Sequence, residues 1–243
     1  MAFKIHFRSK RRLKNIKIKY LNTVDNYSAE DWSYQIGTSP FLFLPNMDSD
    51  DGGGMIIEAS DIIKLKVFND KFIPYMELTM VDSLNKLGSE RHPTDFTYIS
   101  LLIKPGSDLL MPIRIDFVIN NFRMVKQVSG DNDNKIYYLK ARLRFNDMSE
   151  FGAHKGTSFK VLKYLAKKGE LGFASNINDT SDEMTWINPG KYISEFIPDI
   201  VRYSFNDENS FMISFVDLYY NLNYINVESQ LSENSLEQKN VWN

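Results

Sequence analysis

Between residues 56 and 146 apolar and polar side chains alternate in long runs. Ile63, Leu65 and Val67 alternate with Lys64 and Lys66, and Pro74, Met76, Leu78 and Met80 with Tyr75, Glu77, Thr79 and Val81. Ile113, Ile115, Phe117 and Ile119 alternate with Arg114, Asp116, Val118 and Asn120. Tyr137, Leu139, Ala141, Leu143 and Phe145 alternate with Tyr138, Lys140, Arg142 and Arg144. Successive side chains of a strand point to opposite faces, so a period of two predicts strands with one buried and one wetter face. Asn69-Asp70, Lys104-Pro105-Gly106-Ser107 and Gly130-Asp131-Asn132-Asp133-Asn134 supply the turns. Long strands joined by hairpins favour a barrel or a sandwich over a parallel sheet.

After residue 150 the period changes. Phe159, Leu162, Leu165 and Ala166 fall at i, i+3, i+6 and i+7, the spacing of one helix face. Ser158 or Thr157 is placed to cap this helix, and Gly169 to take the left-handed position at its end. An apolar stretch ending in Phe173 follows. A second copy of the pattern starts at Ser210-Phe211, with Phe211, Phe215, Leu218 and Leu222 at i, i+4, i+7 and i+11, and runs into Tyr224. Two helix–strand units are therefore expected. Tyr192, Ile193, Phe196, Ile197, Ile200 and Val201 also have helical spacing, and Pro198 is expected to end or kink that helix unless it opens a second one.

Residues 22–54 are mixed. Trp32, Tyr34 and Ile36 fit a strand, and Pro40-Phe41-Leu42-Phe43-Leu44-Pro45 is a short apolar run. In Asp48-Ser49-Asp50-Asp51-Gly52-Gly53-Gly54 the glycine comes too early for a calcium loop, and no Glu closes it. A solvated loop is expected there.

Composition sharpens this picture in two ways. At 243 residues and 43% hydrophobic, the chain can build one large core or two modest ones. Cysteine is absent, which removes disulfides and thiolate metal sites. No run of apolar residues is long enough for a membrane helix, and the basic start lacks the apolar core of a signal peptide. The net charge of −2 is unevenly spread. Residues 1–19 hold eight Lys/Arg and no acid, leaving 21 basic against 31 acidic residues, a balance of −10, in the rest. A basic arm on an acidic body fits nucleic acid or an acidic partner. It also fits an exposed terminal strand, since Phe3, Ile5 and Phe7 alternate with charge.

Catalytic patterns fail. His6, His92 and His154 are far apart, with no metal-ligand spacing. No nucleophile elbow, phosphate loop or dinucleotide fingerprint is present. Glu195 and Asp199 are one helical turn apart, the spacing of a solvated face rather than of a glycosidase pair. Asp82 and Asp217 follow apolar runs and read as capping groups. No catalytic residue, cofactor or metal is expected.

Several strings carry a resemblance. Ile73-Pro74-Tyr75-Met76-Glu77-Leu78-Thr79-Met80-Val81-Asp82-Ser83 resembles the strand and acidic turn of the first tube domain in baseplate hub proteins. Met111-Pro112-Ile113-Arg114-Ile115-Asp116-Phe117-Val118-Ile119 is similar to a later strand of that barrel. Gly156-Thr157-Ser158-Phe159 through Phe173-Ala174, Met184-Thr185-Trp186-Ile187-Asn188-Pro189, and Ser210-Phe211 through Tyr224-Ile225-Asn226-Val227 are similar to the α/β domain of those hubs. The family is the central baseplate hub of contractile-tailed phages and related injection systems, including the hub part of type VI spike proteins. The likeness covers roughly residues 55–228.

The resemblance implies an α+β protein in three parts: a tail-tube-like antiparallel β-barrel region with a basic arm (1–150), a smaller α/β hub domain with two helix–strand units (151–228), and a polar tail or linker (229–243). It implies a structural, non-enzymatic virion protein of the tail baseplate, assembled in the host cytoplasm, that joins tail tube to spike and matches three-fold to six-fold symmetry. Implied partners are further copies of itself (a homotrimer, or a hexamer if each chain holds one barrel), tail tube protein, spike protein and baseplate wedge proteins. No membrane contact is implied, and nucleic acid meets it only by passage through the channel. Hubs of this family go on to complete a second barrel, whereas 16 residues follow Val227 here. Candidate interface residues are Lys140, Arg142 and Arg144 on the wet strand face, with Trp186 and the Tyr219-Tyr220 pair on the α/β part. A tail-borne cell-wall hydrolase and a nucleic-acid-binding module using residues 1–19 are the alternatives.

Overall fold

A computed structural model describes residues 4–7, 41–45, 54–57, 59–82, 87, 97–103, 113–128 and 134–232. The strand expected at Trp32–Ile36, most of the loop before Gly54, the turns at 104–107 and 130–133, the basic residues 8–19 and the tail after residue 232 lie outside the described residues.

In chain order the elements are β1 (Lys4–Phe7), β2 (Phe41–Pro45), β3 (Gly54–Ile57), β4 (Ile62–Phe68), β5 (Tyr75–Asp82), β6 (Tyr98–Ile103), β7 (Ile113–Val128), β8 (Asn134–Leu143) and β9 (Ser149–Gly156). Then come α1 (Ser158–Lys168), β10 (Gly172–Ser175), β11 (Met184–Tyr192), α2 (Ile193–Tyr203), β12 (Met212–Val216), β13 (Asn221–Asn226) and α3 (Val227–Ser232). The chain divides into a sheet unit, Lys14–Asp70 with Pro74–Arg144, and a mixed unit, Met1–Leu13, Lys71–Ile73 and Phe145–Asn243.

Among the described residues the sheet unit is one seven-stranded antiparallel sheet in the order β3-β2-β6-β7-β8-β5-β4. The predicted apolar positions make its core: Met76, Leu78 and Met80 of β5 face Ala141, Leu139 and Tyr137 of β8, and all are buried. Ile115, Phe117 and Ile119 of β7 continue the same face and are buried. Each buried Met, Leu, Ile or Phe among them contributes roughly 1.5–3 kcal/mol relative to its exposed state. Two details depart from strict alternation. The β4–β5 register shifts between Ile62 and Lys64, so Leu65 and Val67 stay with the core positions while Ile63 is exposed. β7 runs past Asn120 to Val128 with a shift between Ile119 and Asn121, which returns Phe122 to the side of Leu139. The sheet curls into a half-barrel, and among the described residues its end strands β3 and β4 are not joined to each other.

Among the described residues the mixed unit holds a four-stranded sheet, β1-β10-β13-β12, and a two-stranded ribbon, β9–β11. β10 and β13 run parallel, with Gly172 opposite Asn221 and Phe173 opposite Leu222. α1 forms where its spacing predicts, burying Phe159, Leu162, Leu165 and Ala166 together with Val161. Thr157 is its cap, accepting the amide of Lys160 at 3.3 Å. Its end differs from expectation. Gly169 has an ordinary φ of −72°, and Glu170 takes the left-handed position at φ 59°. Leu171 N–H bonds to Ala166 C=O and Glu170 N–H to Lys167 C=O, so the turn closes one residue later than the glycine invites.

α2 continues through Pro198 to Tyr203 rather than ending there. Proline removes only the amide that would bond Ser194 C=O, and Phe196, Ile197 and Ile200 are buried on either side of it. The helix expected from Ser210 does not form: Met212–Val216 is strand β12, antiparallel to β13. Of the two helix–strand units expected, α1–β10 stands, while the second helix before β12 is α2.

Candidate functional site

α1 and α2 are each held at the N-terminus by an aspartate distant in sequence. Asp182 accepts the amide of Ser158 and that of Phe205, each at 2.9 Å, and the hydroxyl of Thr180 at 2.7 Å. Thr180 Oγ1 also accepts the amide of Phe159 at 3.2 Å. Ser158 Oγ lies 2.9 Å from Thr180 Oγ1 and 3.0 Å from the Tyr224 hydroxyl. These groups satisfy amides that the first helical turn leaves without helix partners. The cluster has a serine and a carboxylate, but Ser158 is fully buried and Asp182 is spent on backbone amides. Its chemistry is capping. Burial pushes the Tyr224 phenol above its ordinary value, with the nearby Asp182 charge adding. Burial works against ionisation of Asp179. The Thr157 hydroxyl, the Thr180 amide and Lys160 nonetheless hold its carboxyl below the usual range. At α2, Asp147 accepts the amide and hydroxyl of Ser194 at 2.9 and 2.7 Å.

The carboxylates singled out in the sequence are engaged. Asp199 pairs with Lys191, and Glu195 accepts the Tyr192 amide at 3.4 Å. Asp217 accepts the amides of Tyr219 and Asn221, each at 2.9 Å. Asp82 accepts the amide of Leu87 at 2.9 Å. His154 packs against Tyr164 and Phe196, with ring centroids at 5.3 and 6.1 Å. Among the described residues no three His, Asp or Glu side chains gather to hold a metal ion, and no helix is long and apolar enough to cross a membrane.

The surface chemistry of the sheet unit lies on the face opposite its core. Lys140, Arg142 and Arg144 alternate along β8 and its continuation and share that face. Lys140 is 3.4 Å from Glu77 and sits 4.6 Å above the Tyr75 ring. Arg144 stacks 4.1 Å over Tyr98, and Arg123 lies 5.1 Å over Tyr138. Arg142 lies opposite Tyr75 and Val118 in the ladders. The aromatic rings keep the cations flat against the sheet. Lys64 and Lys66 of edge strand β4 stand on this face too, opposite Thr79 and Glu77.

The other three predicted interface residues belong to the mixed unit, and two of them are buried. Trp186 is 6% exposed, its indole N–H donating to Gly156 C=O at 2.9 Å, so it is a core side chain. Tyr220 is 2% exposed and has a φ of 62°, while its neighbour Tyr219 is exposed. A groove of about 520 Å³, missed in the sequence, lies beside β12 and is lined by Phe72, Pro198, Val201, Arg202 and Phe211. Reading Ser210 onward as a helix hid it; the β-branched pair in Met212-Ile213-Ser214-Phe215-Val216 was the signal available.

No protein-family model matches the chain, and no curated protein sequence does. Among solved structures it is similar to the 43 kDa tail protein of prophage MuSo2 from Shewanella oneidensis, with 11% identity and a TM-score of 0.46, covering 76% of this chain and 53% of that one. It is also similar to the PdpA–VgrG complex of Francisella in its half-lidded form, with 10% identity and a TM-score of 0.38, covering 96% of this chain and 39% of that one. The chain thus spans about half the length of the first and about two fifths of the second. At this identity and this degree of superposition the likeness does not extend to a shared function.

Proposed function

We propose that the protein is a structural, non-enzymatic component of a contractile tail, a baseplate hub that joins tube to spike within the virion. The observation that carries this reading is the open seven-stranded antiparallel sheet, whose edges β3 and β4 have no second partner among the described residues. Open sheet edges invite a strand from a neighbour, and repeated neighbour contacts of one kind close into a ring. The strings that resemble hub proteins fall on its strands: Tyr75–Asp82 is β5, and Ile113 onward is β7. The face bearing Lys140, Arg142 and Arg144 is the surface offered to an acidic neighbouring ring or to the channel.

Native mass spectrometry of the purified chain, alone and with its cognate tail tube protein, tests this. A trimer or hexamer that captures tube rings is the expected result, and the copy number separates two barrels per subunit from one. A monomer that ignores tube protein overturns it.

A further inference from the structure

We infer that the free edge of β12 is a docking site for an extended peptide segment of a partner protein, one that carries an apolar and a carboxylate side chain two residues apart. The inference stands apart from the tail reading, because it rests on the mixed unit alone.

β12 ends the four-stranded sheet, and among the described residues only β13 is laddered to it. Val216 donates its amide away from β13, to Phe72 C=O at 2.8 Å. Phe211 C=O turns the other way and accepts the Val227 amide at 2.9 Å, as alternation requires. Residues two apart in an antiparallel strand turn their backbone groups to the same side, so Ser214 and Met212 present theirs outward beside Val216. One rung of an added strand is therefore already occupied by residue 72, and two further rungs follow along the same edge.

The groove runs beside those rungs. Phe72, Pro198, Val201 and Phe211 give it apolar walls, and Phe211 is 64% exposed. Arg202 stands at the same groove, exposed and without an ion pair among the described residues. These features select the occupant. Backbone rungs need an extended chain, since a helix has already used its amides. The walls take one apolar side chain. The next side chain on the same face lies two residues away, and a carboxylate there meets Arg202. A second copy pairing its own β12 about a two-fold axis brings a second Arg202 to the same groove, so like charge disfavours self-pairing.

The test uses the full chain and the capped peptide acetyl-Thr-Val-Thr-Glu-Thr-amide, followed by amide NMR shifts and hydrogen exchange. Binding is expected to shift the Met212 and Ser214 amides and to slow their exchange about tenfold at saturating peptide. N-methylation of the peptide backbone abolishes the effect. Replacing its Glu by Lys weakens binding about fivefold, and Arg202→Glu reverses that preference. Ser214→Pro removes an outward amide while leaving the β13 ladder intact, and it is expected to abolish binding with the melting temperature nearly unchanged. Shifts elsewhere, or none at millimolar peptide, overturn the inference. So does protection of Met212 and Ser214 in the free chain at every concentration, which means the protein's own chain covers the edge. Protection that grows with protein concentration overturns it in favour of a second copy.

Discussion

Two segments of the mixed unit begin with Ser-Phe and end in a left-handed residue that leads into a strand. From Ser158 the chain coils into α1, turns at Glu170 with φ 59° and enters β10. From Ser210 it extends as β12, turns at Tyr220 with φ 62° and enters β13. The two strands are parallel neighbours in register, and Gly172 N–H bonds to Tyr220 C=O at 2.7 Å. What differs is the opening. Ser158 meets a prepared cap, its amide on Asp182 and its hydroxyl between Thr180 and Tyr224. Ser210 instead uses its hydroxyl in a local turn, accepting the amide of Asp207 at 3.1 Å and donating to Asp207 C=O at 2.7 Å. Both segments have an apolar helical face on paper, and the cap decides which one coils. Propensity leans the same way: Met212–Val216 contains Ile213 and Val216, whereas α1 is richer in Leu, Lys and Ala.

Substitutions can break this comparison. The largest effect is expected at Tyr220→Gly, which relieves the left-handed strain but empties a core site, for a loss of roughly 3–5 kcal/mol in denaturant unfolding. A variant as stable as the parent removes Tyr220 from the core. Asp182→Ala strands the amides of Ser158 and Phe205 and the Thr180 hydroxyl, for a loss of about 3 kcal/mol. Hydrogen exchange then loosens the first turn of α1 before the β12–β13 ladder. Asp217→Ala does the reverse at about 1–2 kcal/mol, loosening the hairpin and leaving α1 protected. Equal loosening of both segments by either variant sinks the claim that they are separately anchored. Glu170→Gly is expected to gain up to about 1 kcal/mol, because glycine suits that position without a side chain to strain.

The smallest effect concerns pH. Burial holds the His6 imidazole below its ordinary value near 6.5, and the charges of Lys163 and Lys4 lower it further. The unfolded chain therefore binds more protons below that value, and stability falls as pH drops through it. His6 packs on Phe159 and Phe173, with centroids at 5.2 and 5.6 Å, so acid should loosen α1 and β10 more than the hairpin. His6→Leu should flatten that slope; a slope that persists assigns it to other groups.

Much of the fold is legible in the sequence because burial there follows a simple period. Met76, Leu78, Met80, Leu139, Ala141 and Leu143 are buried as their alternation demands. The rest depends on partners far along the chain. Ser158 and Ser210 look alike until Asp182, 24 residues beyond Ser158, is placed in space. On β11 hydrophobicity misleads: Ile187 is 70% exposed while Asn188 is 1% exposed. Asn188 is tolerated inside because its side chain bonds the backbone of Gly190 and Lys191, at 3.1 and 2.8 Å to the two amides. The indole partner of Trp186, the Gly156 carbonyl, lies 30 residues away and is equally out of reach of a local pattern. On the sheet unit, Lys140, Arg142 and Arg144 fall together because period two alone decides their side.

The ladder that places Phe7 opposite Phe173 also sets a schedule for synthesis. β1 leaves the ribosome well before its partner β10, which follows only after the whole of Lys14–Arg144 has been made. β10 then waits for β13 to supply its other side. Until then the nascent chain carries an early strand with no edge to join, and closing so long a loop slows folding. The charged flank of that strand, beginning with Lys4, is the kind of residue that keeps a waiting edge soluble.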